Sequence, residues 1–373
     1  MSTKSLTLAA GLFLLMAAWL VVEPAVAQVR QPATSPYAKV SEEVGLTDIT
    51  VKYCRPGVKG RTIWGDGALV PNGLSTPFPN FGSGNPFPWR GGANENTTIS
   101  FENDMLIEGQ KLAAGTYGLH MIPSDTDWTI IFSENTESWG SFFYDQYEDV
   151  LRVTVTPEKA PFKERLVYEF MDQDGKGGAT IALLWEEMKV PFRVQVDNYH
   201  DVVMASMRNE LRSRSGFGWQ GYVQAANYAL ANDLDLEQSL AWADKAIQNG
   251  QNFNTYRLKS RILDKQGKGD ASHAAMGEAI AVANENQLNA YGYQLVGQEK
   301  MDEALRIFKL NVERHPESWN PHDSLAECYG KMGDTKNAKK YYKIALDKLP
   351  EGDQANQDRI TKTLAEIDTQ GSN

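Results

Sequence analysis

The sequence predicts an α+β chain of two domains, an antiparallel β-sandwich or barrel followed by an α-helical solenoid. Three observations predict it. Apolar residues alternate with period two from about residue 45 to 196, and they recur with helical period from about residue 200. The second stretch also repeats itself at intervals near 34 residues. With 373 residues, each half is long enough to bury a core of its own.

Ahead of both halves lies an apolar leader. Lys4 supplies a positive start, and Leu6 to Val22 is an apolar run of 17 residues. Ala25-Val26-Ala27 before Gln28 then has the small-residue pattern of a cleavage site. Residues 1–27 therefore predict a signal peptide, and with it a periplasmic or secreted mature chain. The competing reading is an uncleaved anchor, for which 17 residues is the short limit of a span. No cysteine follows the run to carry a lipid, and no later segment is apolar enough to predict a membrane span after signal cleavage. A formal charge of −11 without any basic stripe argues against nucleic acid as a partner.

Residues 33–197 form the β-rich domain. Ile49, Val51 and Tyr53 alternate with Thr50 and Lys52, and Trp128, Ile130 and Phe132 make a similar set. Leu151, Val153 and Val155 predict a third strand. Leu166, Tyr168 and Phe170 run into the turn Asp174-Gly175 and return through Ile181, Leu183 and Trp185. Val190, Phe192, Val194 and Val196 predict the last strand. A second turn is expected at Glu108-Gly109, between Met105-Leu106-Ile107 and one segment from Leu112 to Ile122. Short strands with frequent turns and no intervening helix point to antiparallel sheets.

Residues 200–368 carry the helical repeats. In Trp319 to Pro350, Leu325, Ala326 and Tyr329 share a face of one helix, Gly333-Asp334 makes the turn, and Ala338, Tyr342 and Ala345 share a face of the next. Thirty-four residues earlier stand Gly292, Ala304, Phe308 and Pro316 in the same roles. Two weaker units place Ser260, Gly267, Ser272 and Ala279, then Asn227, Ser239, Ala243 and Ala246, at equivalent positions; Asn227 departs from the small residue expected there. The pattern resembles the tetratricopeptide repeat. That likeness implies stacked helix pairs sharing one core, with a concave face that takes a protein partner. The alternative is that the repeats only brace the β domain.

The β domain resembles a bacterial family known as domain of unknown function 2911. The likeness rests on Ser35-Pro36, Tyr53-Cys54-Arg55-Pro56, Val58-Lys59-Gly60-Arg61, Trp89-Arg90, Gly92-Ala93-Asn94-Glu95, Ala114 to Leu119, Ile122-Pro123 and Trp139-Gly140. Two departures stand out: the insertion Asn72 to Pro88, rich in Gly, Pro, Asn and Phe, and Gly91 where the family usually has threonine. The resemblance implies a fold unit and an exported context, not an activity.

Polar and aromatic residues concentrate in the loops of this domain. Arg61, Trp89, Arg90, Asn94, Glu95 and His120 are the candidate ligand-binding residues, since arginines beside amide and carboxylate groups, with tryptophan faces nearby, suit a small polar ligand. The alternative is a buried network in which Arg90 pairs with Glu95 and Arg61 with Asp66. No nucleophile elbow, zinc-protease helix, phosphate loop or dinucleotide fingerprint is present, so no catalytic residue is assigned. Glu95 and Asp145 are the one pair considered as acid and base of a glycoside hydrolase. No metal and no cofactor are expected: the five histidines are scattered, and Asp172-Gln173-Asp174-Gly175 fails as a calcium loop because its twelfth position is Ile181. The sequence thus predicts an exported envelope protein whose repeats bind a protein partner. The alternatives are a β domain that binds or hydrolyses a small polar ligand such as a sugar, and a purely structural spacer.

Overall fold

The computed structural model describes residues 31–370, so the predicted signal peptide and its cleavage site lie outside the described residues. The chain divides into two compact units. One holds the residues up to Glu42 with Asp48–Gln173 and Gly178–Gln195; the other holds Val196 onward together with Glu43–Thr47 and Asp174–Gly177.

The first unit contains two open sheets. Strands β1 (Tyr37–Val44), β2 (Thr47–Cys54), β3 (Thr98–Phe101), β6 (Gly115–Ile122), β7 (Trp128–Ser133) and β8 (Asp149–Val155) form one, in that order. The order β5 (Gln110–Leu112), β4 (Met105–Ile107), β10 (Gly178–Val196), β9 (Glu158–Met171) forms the other. Neither sheet closes, so of the two predicted architectures the open one forms. Alternate residues of facing strands fill the space between them: Tyr53 meets Tyr168 at 4.9 Å and Phe132 meets Phe192 at 6.1 Å, both edge to face. The predicted turn at Glu108-Gly109 joins β4 to β5 with both residues at positive φ (47° and 77°), which suits the right-handed twist of a two-residue hairpin.

Three features depart from the sequence reading. The runs ending at Trp185 and beginning at Val190 are one strand, β10, and the change of phase between them falls at Glu186, whose φ of 56° kinks the strand where its register with β9 shifts. Strand β1 had no apolar signal because it is an edge strand; Tyr37, Lys39, Ser41 and Glu43 are all exposed. Leu112 to Ile122 is not continuous, since the chain leaves one sheet after β5 and enters the other at β6.

The second unit is helical. After α1 (Tyr199–Glu210) come four pairs: α2 (Trp219–Ala231) with α3 (Leu236–Asn249), α4 (Phe253–Lys265) with α5 (Gly269–Val282), α6 (Glu285–Gly297) with α7 (Met301–Arg314), and α8 (Trp319–Lys331) with α9 (Thr335–Lys348). α10 (Gln354–Gln370) follows, docked through the fully buried Ile360. Small residues let each pair close. A Cβ on Gly292 would fall 2.5 Å from the Phe308 ring, and Ala326 and Ala338 are fully buried. In the earlier pairs hydroxyls replace methyls: Ser272 Oγ donates to the Ser260 carbonyl (2.9 Å), and Ser239 Oγ to that of Ala226 (2.9 Å). The small residue of the first pair is therefore Ala226, not Asn227. One additional residue between Ala226 and Ser239, compared with later pairs, displaced the sequence alignment by one; Ala226 to Ser260 restores the 34-residue step. First helices of two neighbouring pairs pack together, α2 with α4 and α6 with α8, more closely than any two second helices do, as expected where first helices lie inside a curve. Among the described residues, no helix is long and apolar enough to cross a membrane.

Candidate functional site

Loops of the β unit line an open cavity of about 430 Å³. Arg61, Trp89, Arg90 and Asn94 line it, joined by Lys59 and Trp185. The loop after β2 supplies the first wall. Lys59 and Gly60 both turn at positive φ (49° and 68°), and the chain is tied to β9 by Val58 N–H donating to the Glu164 carbonyl at 2.8 Å. Arg61 folds back on this turn. Its Nε donates to the Val58 carbonyl (3.2 Å) and its Nη2 to that of Gly57 (2.6 Å).

The segment from Trp89 to Asn94 supplies the opposite wall. Trp89 and Met121 exchange backbone hydrogen bonds of 2.9 and 2.7 Å, which fixes the tryptophan beside β6. Gly91 turns at φ 61°, and a Cβ there would fall 2.7 Å from the Tyr168 hydroxyl, which donates to the Gly91 carbonyl (2.9 Å). This close approach leaves no room for a side chain at Gly91. Asn94 also takes a left-handed turn, φ 60°, a conformation asparagine tolerates better than most residues. Its carbonyl accepts from Arg90 Nη1 at 2.6 Å.

Trp89 and Trp185 line the cavity and pack against further rings behind it. Trp64 contacts Trp89, Trp128 and Trp185 edge to face at 5.5, 5.2 and 5.5 Å, and Trp89 stacks on Trp185 at 6.1 Å. Arg90 lies over Phe142 (4.8 Å) and Trp139 (5.6 Å), and a side chain at Gly140 would overlap its guanidinium. The insertion Asn72 to Pro88 packs on this platform: Phe81 and Phe87 meet Phe142 at 4.7 and 5.1 Å, and Ser83 N–H donates to the Phe142 carbonyl. Burial lowers the pKa of Arg90, against the opposing charge of Glu95.

Glu95 and His120 do not line the cavity. Glu95 accepts from the Cys54 thiol at 3.3 Å, and burial together with this carboxylate raises the thiol pKa. His120 is 2 % exposed, with Nδ1 2.8 Å from Ser141 Oγ; burial, and then the charge of Arg90, lowers its pKa to about 4. A serine–histidine contact suggests a nucleophile and base, but Ser141 is 1 % exposed and neither residue lines the cavity, so no substrate meets them there. The expected pairs Arg90 with Glu95 and Arg61 with Asp66 do not form ion pairs, because main-chain carbonyls hold both guanidinium groups. Asp145 caps a short 3-10 turn, accepting from Tyr147 N–H, so it and Glu95 do not flank the cavity as an acid–base pair. Both cysteines are free and buried, and among the described residues no cluster of three or more His, Cys, Asp or Glu side chains could hold a metal ion.

Lys59 and Trp185 were missed as site residues. Lys59 stands in the motif Val58-Lys59-Gly60-Arg61 with the candidate Arg61, whereas Trp185 reads only as one more strand residue.

The molecule thus joins an open β-sandwich with a basic cavity to a stack of helix pairs. Residues 35–194, which make up most of the sandwich, match the family described as protein of unknown function (DUF2911). No curated protein matches the chain. The helical region resembles tetratricopeptide repeat proteins among solved structures. MamA is 16 % identical, over 40 % of this chain and 87 % of its own, with a TM-score of 0.28. PilF of Pseudomonas aeruginosa is 18 % identical, over 43 % and 72 %, with a TM-score of 0.28. YrrB, described as a TPR protein with an unusual peptide-binding site, is 17 % identical, over 43 % and 86 %, with a TM-score of 0.26. At these values the assignment of the repeats rests on this chain's own spacing and packing.

Proposed function

We propose that this is an exported protein whose helical repeats hold a protein partner on their concave face. The observation that carries the reading is a small pocket of about 150 Å³ on the first-helix side, bordered by Trp219, Asn227, Asn254, Arg257 and Arg261. Arg261 donates to Asn227 Oδ1 (3.2 Å) and Arg257 to Gln294 Oε1 (2.5 Å), and neither arginine has a carboxylate partner among the described residues. Burial and the neighbouring charge of Arg261 lower the Arg257 pKa, as two uncompensated cations on one helix should. A partner segment bearing a carboxylate would relieve that repulsion. Export is supported by the leader in residues 1–27.

One experiment addresses both parts. The tagged full chain is expressed in a Gram-negative host, recovered from the periplasmic fraction, and its N-terminus sequenced. The first residue should be Gln28, and crosslinked partners should be lost from an Arg257→Glu/Arg261→Glu variant that keeps its helical circular dichroism. A cytoplasmic chain retaining the leader defeats the export reading. Identical partners on parent and variant defeat the concave-face reading.

A second reading, binding of a small polar ligand by the β domain, is favoured by one specific observation. Four of the six residues singled out in the sequence line a single cavity of ligand size.

A further inference from the structure

We propose that the β-domain cavity is an oxyanion site, taking a small ring-bearing molecule with a carboxylate or phosphate in preference to a neutral sugar; this rests on the small-ligand reading above. Lys59, Arg61 and Arg90 all line the cavity and no aspartate or glutamate does, in a chain whose formal charge is −11. Such a lining runs against the charge of the whole molecule, and a concave site of one sign focuses the field on ligands of the other.

Two carboxylates near these loops point their oxygens at other donors rather than lining the cavity. Glu164 Oε1 accepts from Lys59 N–H at 3.1 Å, and Glu95 accepts from the Cys54 thiol. The cations keep donors in reserve. Arg61 commits Nε and Nη2 to carbonyls and leaves Nη1, while Arg90 commits only Nη1. The Lys59 ammonium makes no ion pair among the described residues. Planar guanidinium groups anchored by main-chain carbonyls lose little freedom when they bind an oxyanion.

A second observation is independent of charge. Trp185 lines the cavity, is 1 % exposed, and its Nε1–H is buried without an acceptor. Buried donors are nearly always satisfied, and an orphan beside a cavity marks a place where a ligand acceptor is favoured. Trp89, which is only partly buried and lines the cavity, adds an apolar wall for the ring-shaped body of the ligand.

The test titrates the full chain with D-glucuronate, D-glucose 6-phosphate and D-glucose, which share one ring and differ in charge, followed by tryptophan fluorescence and calorimetry. At least one anion should bind ten-fold or more tightly than glucose, weaken as salt is raised, and weaken ten-fold or more in Lys59→Gln, an exposed position whose replacement leaves the fold intact. Preference between the two anions assigns the carboxylate or the phosphate as the group recognised. Glucose binding as tightly as both anions overturns the oxyanion proposal and leaves the small-ligand reading standing. No binding by any of the three, with unchanged circular dichroism, overturns both.

Discussion

His120 shows how far a residue's role depends on its surroundings. It is buried against Ser141 and close to the charge of Arg90, and its pKa falls from 6.5 to about 4. Above pH 6.5 the folded and unfolded chains both hold it neutral, so it adds no pH dependence. Between pH 6.5 and 4 the unfolded chain binds a proton that the folded chain refuses, and stability falls as the pH falls. The full effect is on the order of 3 kcal/mol. His120→Gln, which retains a partner for Ser141, should lose less stability on acidification than the parent in urea unfolding at pH 7 and pH 4.5; equal losses would show that His120 does not stay neutral. The same scale explains what was legible of the site. Arg61, Trp89, Arg90 and Asn94 could be named because charge and aromatic density in loops is unusual in a sequence. That Glu95 turns to Cys54 could not, since one residue's direction in an irregular loop depends on backbone turns such as those at Gly91 and Asn94; His120 lies in β6, where every residue from Tyr117 to Met121 is buried and alternation gives no inward or outward face.

At the scale of elements, the helix pairs were legible because a 34-residue period survives even where the residues change. Ser260 and Ser272 replace the alanines of later pairs and hydrogen-bond across the same close approach. Two glycine substitutions test that packing. Gly292→Ala improves helix propensity but places a methyl against the Phe308 ring, and should destabilise the helical unit by about 1–3 kcal/mol. Gly277→Ala lies in α5 with open space around it and should stabilise by about 0.5–1 kcal/mol. Thermal melts of opposite sign are the expected result; melts of the same sign would contradict the close approach at Gly292. In the β unit, the change from odd to even apolar positions between Trp185 and Val190 was present in the sequence and was read as a break between strands. A kink at one left-handed residue produces the same change without ending the strand.

Over the whole helical unit, two clusters hold most of the buried apolar residues. One runs from Met204 to Ile262 and the other from Phe253 to Ile360, so α4 serves both. A stack in which each pair touches only its neighbours should open in parts. Ile360→Ala removes a fully buried side chain from the second cluster and should cost about 2–4 kcal/mol there. Hydrogen exchange should then speed up in α8, α9 and α10 while α2 and α3 keep their protection. Uniform acceleration would mean that the unit unfolds as one. Period and composition alone determined the kinds of element, their order and the change from strand to helix near residue 197, because each depends on side chains a few positions apart. Tertiary structure decided which loops share a wall of the basic cavity, which carboxylates are spent elsewhere, and which first helices pack together. Those outcomes join residues far apart in the chain, brought together by packing that no local rhythm encodes.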